Sequence, residues 1–275
     1  MSRFVVNAPV RLVGEVVGEG PTLLLLHGWP DTRTLWDDVV DDFVAAGYRV
    51  ATLDLRGCGE SDKPIDTESY AMHHLVADIA AAIDVLGAPV TLIGHDWGAA
   101  LAWAVASFRP ELVERLVVLS VGHPSAFRAG GLAQQMKSWY TLLFYHEGVG
   151  EAFLRLEDHG AIRTWLKHPR AEAVITELER DGQMSAHLRW YRANLPPESF
   201  VSAVPVIPPI LAPTLGIWSS GDLALTEKQM IESASFCVNG FAYERLEGLG
   251  HWMVLEDPLR VASTILAFLA SSSHQ

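Results

Sequence analysis

The stretch VTLIGHDWGAALAW, from Val90 to Trp103, constrains the fold more than any other part of the 275-residue chain. An apolar run ends at Gly94, a short turn follows, and from Gly98 the chain is rich in alanine. A short apolar run bounded by turn signals reads as a buried strand, and the small-residue stretch reads as a closely packed helix. A strand joined to a helix through a glycine-flanked turn is the building unit of a parallel sheet. The spacing is that of a Gly-x-Ser-x-Gly nucleophile turn, with Asp96 in the place of serine. Taken alone, Asp96 has two readings: a helix N-cap, or a nucleophile at the top of a sheet beside the positive end of a helix dipole.

The surrounding chain repeats the unit. VRLVGEVVGEG and TLLLLHG read as the arms of a hairpin. LWDDVVDDFVAAG places Trp36, Val39, Val40, Phe43 and Val44 on one helical face, with Gly47 as a stop. YRVATLDLRG is a short buried strand. SYAMHHLVADIAAAIDVLGAP is an amphipathic helix with Leu75, Ile79, Ile83 and Leu86 at helical spacing, and VERLVVLSVG is a further strand. From about His123 to Val204 no strand pattern occurs. GLAQQMKSWYTLLFY, GEAFLRLEDHGAIRTWLKH, AEAVITELERDG and SAHLRWYRANL read as helices, followed by a proline-rich return through PPESF and VPVIPPILAP. TLGIWSSGD and FAYERLEG restore strands, and DPLRVASTILAFLASS closes as a helix. This pattern predicts an α/β fold with a mostly parallel sheet and helices on both faces. Its core spans 1–122 and 209–275, with an all-helical cap inserted over 123–208. Open α/β sheets bind ligands at their carboxyl edge, which is where such a lid would sit.

Composition excludes several functions. Lys and Arg number 20 against 33 Asp and Glu, a net charge of −13, which opposes non-specific binding to the phosphates of nucleic acid. Hydrophobic residues make up 49% of the chain, enough for a core. Cys58 and Cys237 are the only cysteines, too few and too distant for a disulfide framework or a zinc site. No His-Glu-x-x-His spacing occurs, and the glycines of GEVVGEGP are not followed by a helix, so neither metal nor dinucleotide cofactor is expected. The N-terminus shows no signal pattern, and its longest apolar run, TLLLL, is too short to span a bilayer. A soluble cytoplasmic protein without a membrane or nucleic-acid partner is expected, with a homo-oligomer left open.

Chain order distinguishes the two readings of Asp96. In this fold a nucleophile is followed by an acid after a later strand and by a histidine near the end. Asp222 follows the strand LGIWSS, and His251 lies in EGLGHW between the last strand and the last helix. Alone, Asp222 is a turn residue and His251 a loop histidine; in this order they complete a triad with Asp96. Such a site needs two backbone donors, one just after the nucleophile and one from the loop after an earlier strand. The amides of Trp97 and Trp29, the latter in LLLLHGWPD, fit those places. His27 and His95 read as loop braces.

HGWP, DLRGCGESDKP, GHDWG, the Asp222 segment and GHW together resemble the α/β-hydrolase-fold epoxide hydrolases, from about Val10 to Leu269 and most strongly in the core. The resemblance implies a nucleophilic Asp, a His–Asp pair and two lid tyrosines that hold the epoxide oxygen. SWYTLLFYHEGVGEAF is similar to the family's first lid segment and assigns Tyr140. LRWYRANL is similar to the second and assigns Tyr191. After Phe144 the family carries Gln and Pro where this chain has YHEG, so Tyr145 stands as a second candidate for the first position. Outside the resemblance, either tyrosine reads more readily as an interfacial aromatic.

The residue types fit the chemistry. A carboxylate attacks saturated carbon rather than a carbonyl, giving an ester that His251, oriented by Asp222, hydrolyses with water. An opening epoxide needs its alkoxide protonated, a task for two phenols; a halide needs weak N–H donors. Haloalkane dehalogenases share HDWG and are the alternative, but they carry Asn or Glu where this chain has Trp29. Fluoroacetate dehalogenases use Arg after the nucleophile, where this chain has Trp97. A pure binding protein would not need the complete set of Asp96, Asp222 and His251. The expected substrate is a small apolar epoxide, with water.

Overall fold

In the computed structural model, which describes residues 2–202 and 206–271, eight strands form one sheet in the order β1-β2-β4-β3-β5-β6-β7-β8. They are β1 (Ser2–Ala8), β2 (Val10–Val17), β3 (Thr22–Leu26), β4 (Arg49–Asp54), β5 (Val90–His95), β6 (Val113–Leu119), β7 (Thr214–Ser219) and β8 (Phe241–Leu246). Strand β2 runs antiparallel to both neighbours, and every pair from β4 to β8 is parallel. β5 and β7 are buried at every position, as strands with both faces covered must be.

The expected hairpin between the β2 and β3 segments does not form: β4 lies between them. The run Leu23–Leu26 is wholly buried and suits a central strand with parallel neighbours, whereas β2, which carries Arg11 and Glu15 and is only partly buried at both ends, suits an outer antiparallel place. The link through Gly18 and Gly20 runs against the entry to β4. A Cβ on Gly20 would lie 2.3 Å from the Gly47 carbonyl oxygen, and one on Gly18 would lie 2.5 Å from that of Tyr48. The hairpin that does form joins β1 and β2 at Pro9, with Val5 opposite Val13.

The core helices follow the apolar periodicity. α1 (Asp37–Ala45) buries Val39, Val40 and Phe43; its Asp37 and Asp38 complement the dipole at its first turn. α2 (Met72–Leu86) buries Leu75, Ile79, Ile83 and Leu86. α3 (Trp97–Phe108) is buried over most of its length, since its alanines let it lie close to the sheet.

Between β6 and β7 the described residues hold helices and no strand: α4 (Pro124–Arg128), α5 (Gly131–Lys137), α6 (Tyr140–Tyr145), α7 (Val149–Gly160), a π-helical turn at Ala161–Leu166, α8 (Ala171–Leu178) and α9 (Gln183–Asn194). The single helix expected over GLAQQMKSWYTLLFY is two, α5 and α6. α7 leaves helical dihedrals at Leu156–His159. Of the proline-rich return, Pro197–Phe200 forms a 3-10 turn and Ile210 bridges Cys237, while Val204 and Pro205 lie outside the described residues. α10 (Glu227–Glu232), α11 (Met253–Glu256) and α12 (Pro258–Ser271) complete the chain, α12 packing on α1. No helix among the described residues is long and apolar enough to cross a membrane.

Candidate active site

Asp96 sits between β5 and α3 with φ 52° and ψ −120°, a conformation that L-residues rarely adopt and that costs on the order of 1–3 kcal/mol. Close approach on all sides holds it there. A Cβ on Gly94 would lie 2.3 Å from the Gly98 carbonyl oxygen, and one on Gly98 would lie 2.2 Å from that of Leu26. On the other flank, a Cβ on Gly28 would lie 2.4 Å from the Asp96 Cβ. Only glycine fits these three positions. Asp96 occupies the N-cap place of α3, yet its side chain makes no cap hydrogen bond. Oδ1 accepts instead from the Trp29 backbone N–H at 2.8 Å.

His251 faces the other carboxylate oxygen, its Nε2 lying 3.6 Å from Asp96 Oδ2. Its Nδ1 donates to Asp222 Oδ2 at 2.9 Å. Asp222 Oδ1 accepts from the amides of Ala224 and Leu225 at 2.8 and 2.9 Å, so the acid is fixed by its own loop. All three side chains are buried. Burial alone would drive the proton off His251. The Asp222 charge and hydrogen bond outweigh it, Asp96 adds to them, and the imidazole pKa is pushed well up. Burial would likewise raise the Asp222 carboxyl. The charge and hydrogen bond of His251, with the two amides, hold it below its ordinary value.

The loop histidines brace the backbone. His27 Nδ1 donates to the Gly28 carbonyl at 2.9 Å, and its Nε2 accepts from the Leu55 amide at 3.1 Å. His95 Nε2 donates to the His251 carbonyl at 2.9 Å; burial, with the neighbouring His251 charge, lowers its pKa to about 4, so it stays neutral. The Trp97 amide opens α3 directly after Asp96.

Asp96, Trp97, Tyr140 and Tyr191 share the wall of one cavity of about 280 Å³. The rest of the wall is mainly apolar, with Phe108, Val121, Leu195 and Leu225 among its residues. α6 carries Tyr140 and α9 carries Tyr191, with ring centroids 6.1 Å apart, and Tyr191 also meets the Trp97 ring edge-on at 5.1 Å. Burial, reinforced by the Asp96 charge, pushes both phenol pKa values well up, so both remain proton donors. Tyr145 is half-buried, contacts the His146 ring and is not part of the cavity wall.

Two features were not singled out in the sequence. Asp31, after HGWP, is buried and accepts from Trp252 Nε1 at 3.0 Å, with His168 Nε2 at 3.2 Å. It thereby ties the Trp29 loop to the residue after His251; a charged residue behind a buried aromatic loop was the available signal. Glu68, His73 and His74 bring three possible metal-ligand atoms within 4.8 Å of one another, at the start of α2; none of the three lines the cavity, although their neighbour Met72 does.

Comparisons with known proteins agree with this architecture. The family profile of the alpha/beta hydrolase fold matches residues 21–258. The AB hydrolase superfamily protein YfhM of Bacillus subtilis is 31% identical, with 91% of each chain covered. Epoxide hydrolase 4 of Mus musculus is 32% identical over 93% of this chain and 74% of its own length. The crystal structure of a variant epoxide hydrolase from Bacillus megaterium superposes with a TM-score of 0.87 at 26% identity, covering 97% of this chain and 100% of that one. With the sheet, the strained turn and the relatives in agreement, the chain belongs to the epoxide hydrolases of the α/β-hydrolase fold.

Proposed function

We propose that the protein converts an epoxide and water to a vicinal diol through an ester on Asp96, with the helices of 123–208 acting as a cap over the site. The observation that carries this reading is the shared cavity: a strained, amide-bonded carboxylate on one side and two buried phenols on the other. In the first step an Asp96 oxygen attacks an epoxide carbon. The C–O bond breaks toward oxygen, and Tyr140 and Tyr191 donate hydrogen bonds and a proton to the leaving alkoxide. The cavity admits the organic part of the substrate through its apolar wall.

In the second step water attacks the Asp96 carbonyl carbon and gives its proton to His251 Nε2. The carbonyl oxygen becomes an oxyanion held by the Trp29 and Trp97 amides. Collapse expels the diol alkoxide, which takes the proton back from His251, while Asp222 stabilises the imidazolium between the two transfers. The water's second proton, left on the Asp96 carboxyl, passes on to restore the tyrosine that protonated the alkoxide, and both carboxylate and phenol are regenerated. Esterification neutralises Asp96 and so removes one of the charges that hold the proton on His251. Formation of the ester therefore itself favours the neutral base needed next.

The two phenols favour epoxide over haloalkane, because an alkoxide needs a proton and a halide does not. Aryl and aliphatic epoxides offered beside short haloalkanes test this: diol without halide release is expected, and halide release without diol would overturn it. The thiols of Cys58 and Cys237 are both free, which fits a reducing, cytoplasmic location; the apolar cavity wall supports a role in clearing apolar epoxides. Fractionation of cells of the source organism would check the location.

A further inference from the structure

Arg192 follows Tyr191 in α9, and its guanidinium is buried away from the cavity wall. Its Nη2 donates to both carboxylate oxygens of Glu151 at 2.8 Å. Its Nε donates to the Phe144 carbonyl at 3.1 Å. Phe144 stands one turn after Tyr140 in α6, where a helix leaves carbonyls without partners. One side chain therefore reaches from the neighbour of one tyrosine to the helix that bears the other.

Glu151 is held just as fully. Oε2 accepts from the Gly148 amide at 2.9 Å, capping α7, and Oε1 accepts from Ser185 Oγ of α9 at 2.8 Å. With the two bonds from Arg192, these fill the carboxylate's usual acceptor capacity. The Phe144 ring lies against both tyrosines, at 5.3 Å from Tyr140 and 5.1 Å from Tyr191. Stability alone does not explain such a buried pair, because well-packed apolar residues often serve as well or better.

We propose that Glu151 and Arg192 are a positioning pair that sets the spacing and direction of the Tyr140 and Tyr191 hydroxyls without touching substrate. This rests on the reading of the two tyrosines as donors to the epoxide oxygen. Its consequence is specific to one step. Ester formation needs both hydroxyls on one oxygen atom. Ester hydrolysis uses Asp96, His251, Asp222 and two backbone amides, all carried by other elements.

Single-turnover kinetics followed by tryptophan fluorescence separate the steps. Glu151→Gln and Arg192→Lys are expected to slow ester formation roughly 10- to 100-fold, the usual consequence of a misplacement near 1 Å, and to leave ester hydrolysis within about twofold. The defect should be largest for epoxides that open to strongly basic alkoxides, since those depend most on proton donation. Ser185→Ala carries the same expectation on a smaller scale and keeps the test available if the buried variants fail to fold. Equal slowing of both steps, no slowing, or a defect independent of the leaving oxygen would overturn the proposal. Tyr140→Phe and Tyr191→Phe in the same assay separate the causes of failure. If they leave ester formation unchanged, the donor reading falls and takes the proposal with it. If they slow it and Glu151→Gln does not, the positioning pair alone is wrong.

Discussion

Asp96 is held by backbone geometry, and His251 is held by charge. The first fixes a carboxylate in a strained turn with one oxygen on an amide and the other toward the imidazole. The second favours a protonated His251 beside the Asp222 and Asp96 carboxylates. Asp96→Ala should therefore lower diol formation by about 10³-fold or more while the circular dichroism spectrum is retained; undiminished turnover would remove Asp96 from the chemistry. His251→Gln should let the ester form and persist, visible as an adduct in the intact-protein mass. The sign of the pH dependence follows from the same charges. Hydrolysis of the ester needs neutral His251, so its single-turnover rate should climb with rising pH and level off above the histidine pKa in the ester. A rate that falls with pH would contradict His251 as the base.

At the scale of elements, the turn between β5 and α3 depends on Gly98. Helix propensity alone would favour alanine there by about 1 kcal/mol. A Cβ would instead sit 2.2 Å from the Leu26 carbonyl oxygen and 2.5 Å from that of His27. Both are backbone atoms, at the end of β3 and directly after it, and cannot swing aside, so overpacking at about 1–3 kcal/mol or more wins. Gly98→Ala is expected to lower the urea midpoint, and a raised midpoint would show that the close approach is not limiting. Periodicity made most elements legible: α1 and α2 bury the apolar positions that the spacing selects, and Leu23–Leu26 reads as a buried strand. Strand partners were not legible. The apolar residues of β2 say that it is a strand but not which strand lies beside it, and β4, which follows β3 in sequence, takes the place between β2 and β3. The breaks within the helical insertion, at Ser138–Trp139 and Leu156–His159, were hidden as well, because apolar residues on both sides continue the helical period.

At the scale of the whole molecule, the sheet and the inserted helices meet around the cavity, and Asn194 is one of the joints. Its Oδ1 accepts from the Met72 amide at the start of α2, and its Nδ2 donates to the Tyr70 and Trp190 carbonyls, each at 2.9 Å. Asn194→Ala should cost about 1–3 kcal/mol through the unpaired groups left behind, measured by thermal melting, and should raise KM as the joint loosens; unchanged stability and KM would show that the joint bears no strain. Asp96, Asp222 and His251 stand out in the sequence because chain order and turn spacing are one-dimensional signals. The partnership of Tyr140 with Tyr191, and of Arg192 with Glu151, depends on how α6, α7 and α9 pack, and no spacing along the chain records that.

The covalent ester on Asp96 is the centre of the account, and isotope transfer tests it most directly. Repeated turnover in ¹⁸O-labelled water, followed by mass spectrometry of the peptide bearing Asp96, should find ¹⁸O in the Asp96 carboxylate, because water attacks the enzyme's carbonyl carbon. A peptide that stays unlabelled after many turnovers, with label only in the diol, would mean that water attacks the epoxide directly.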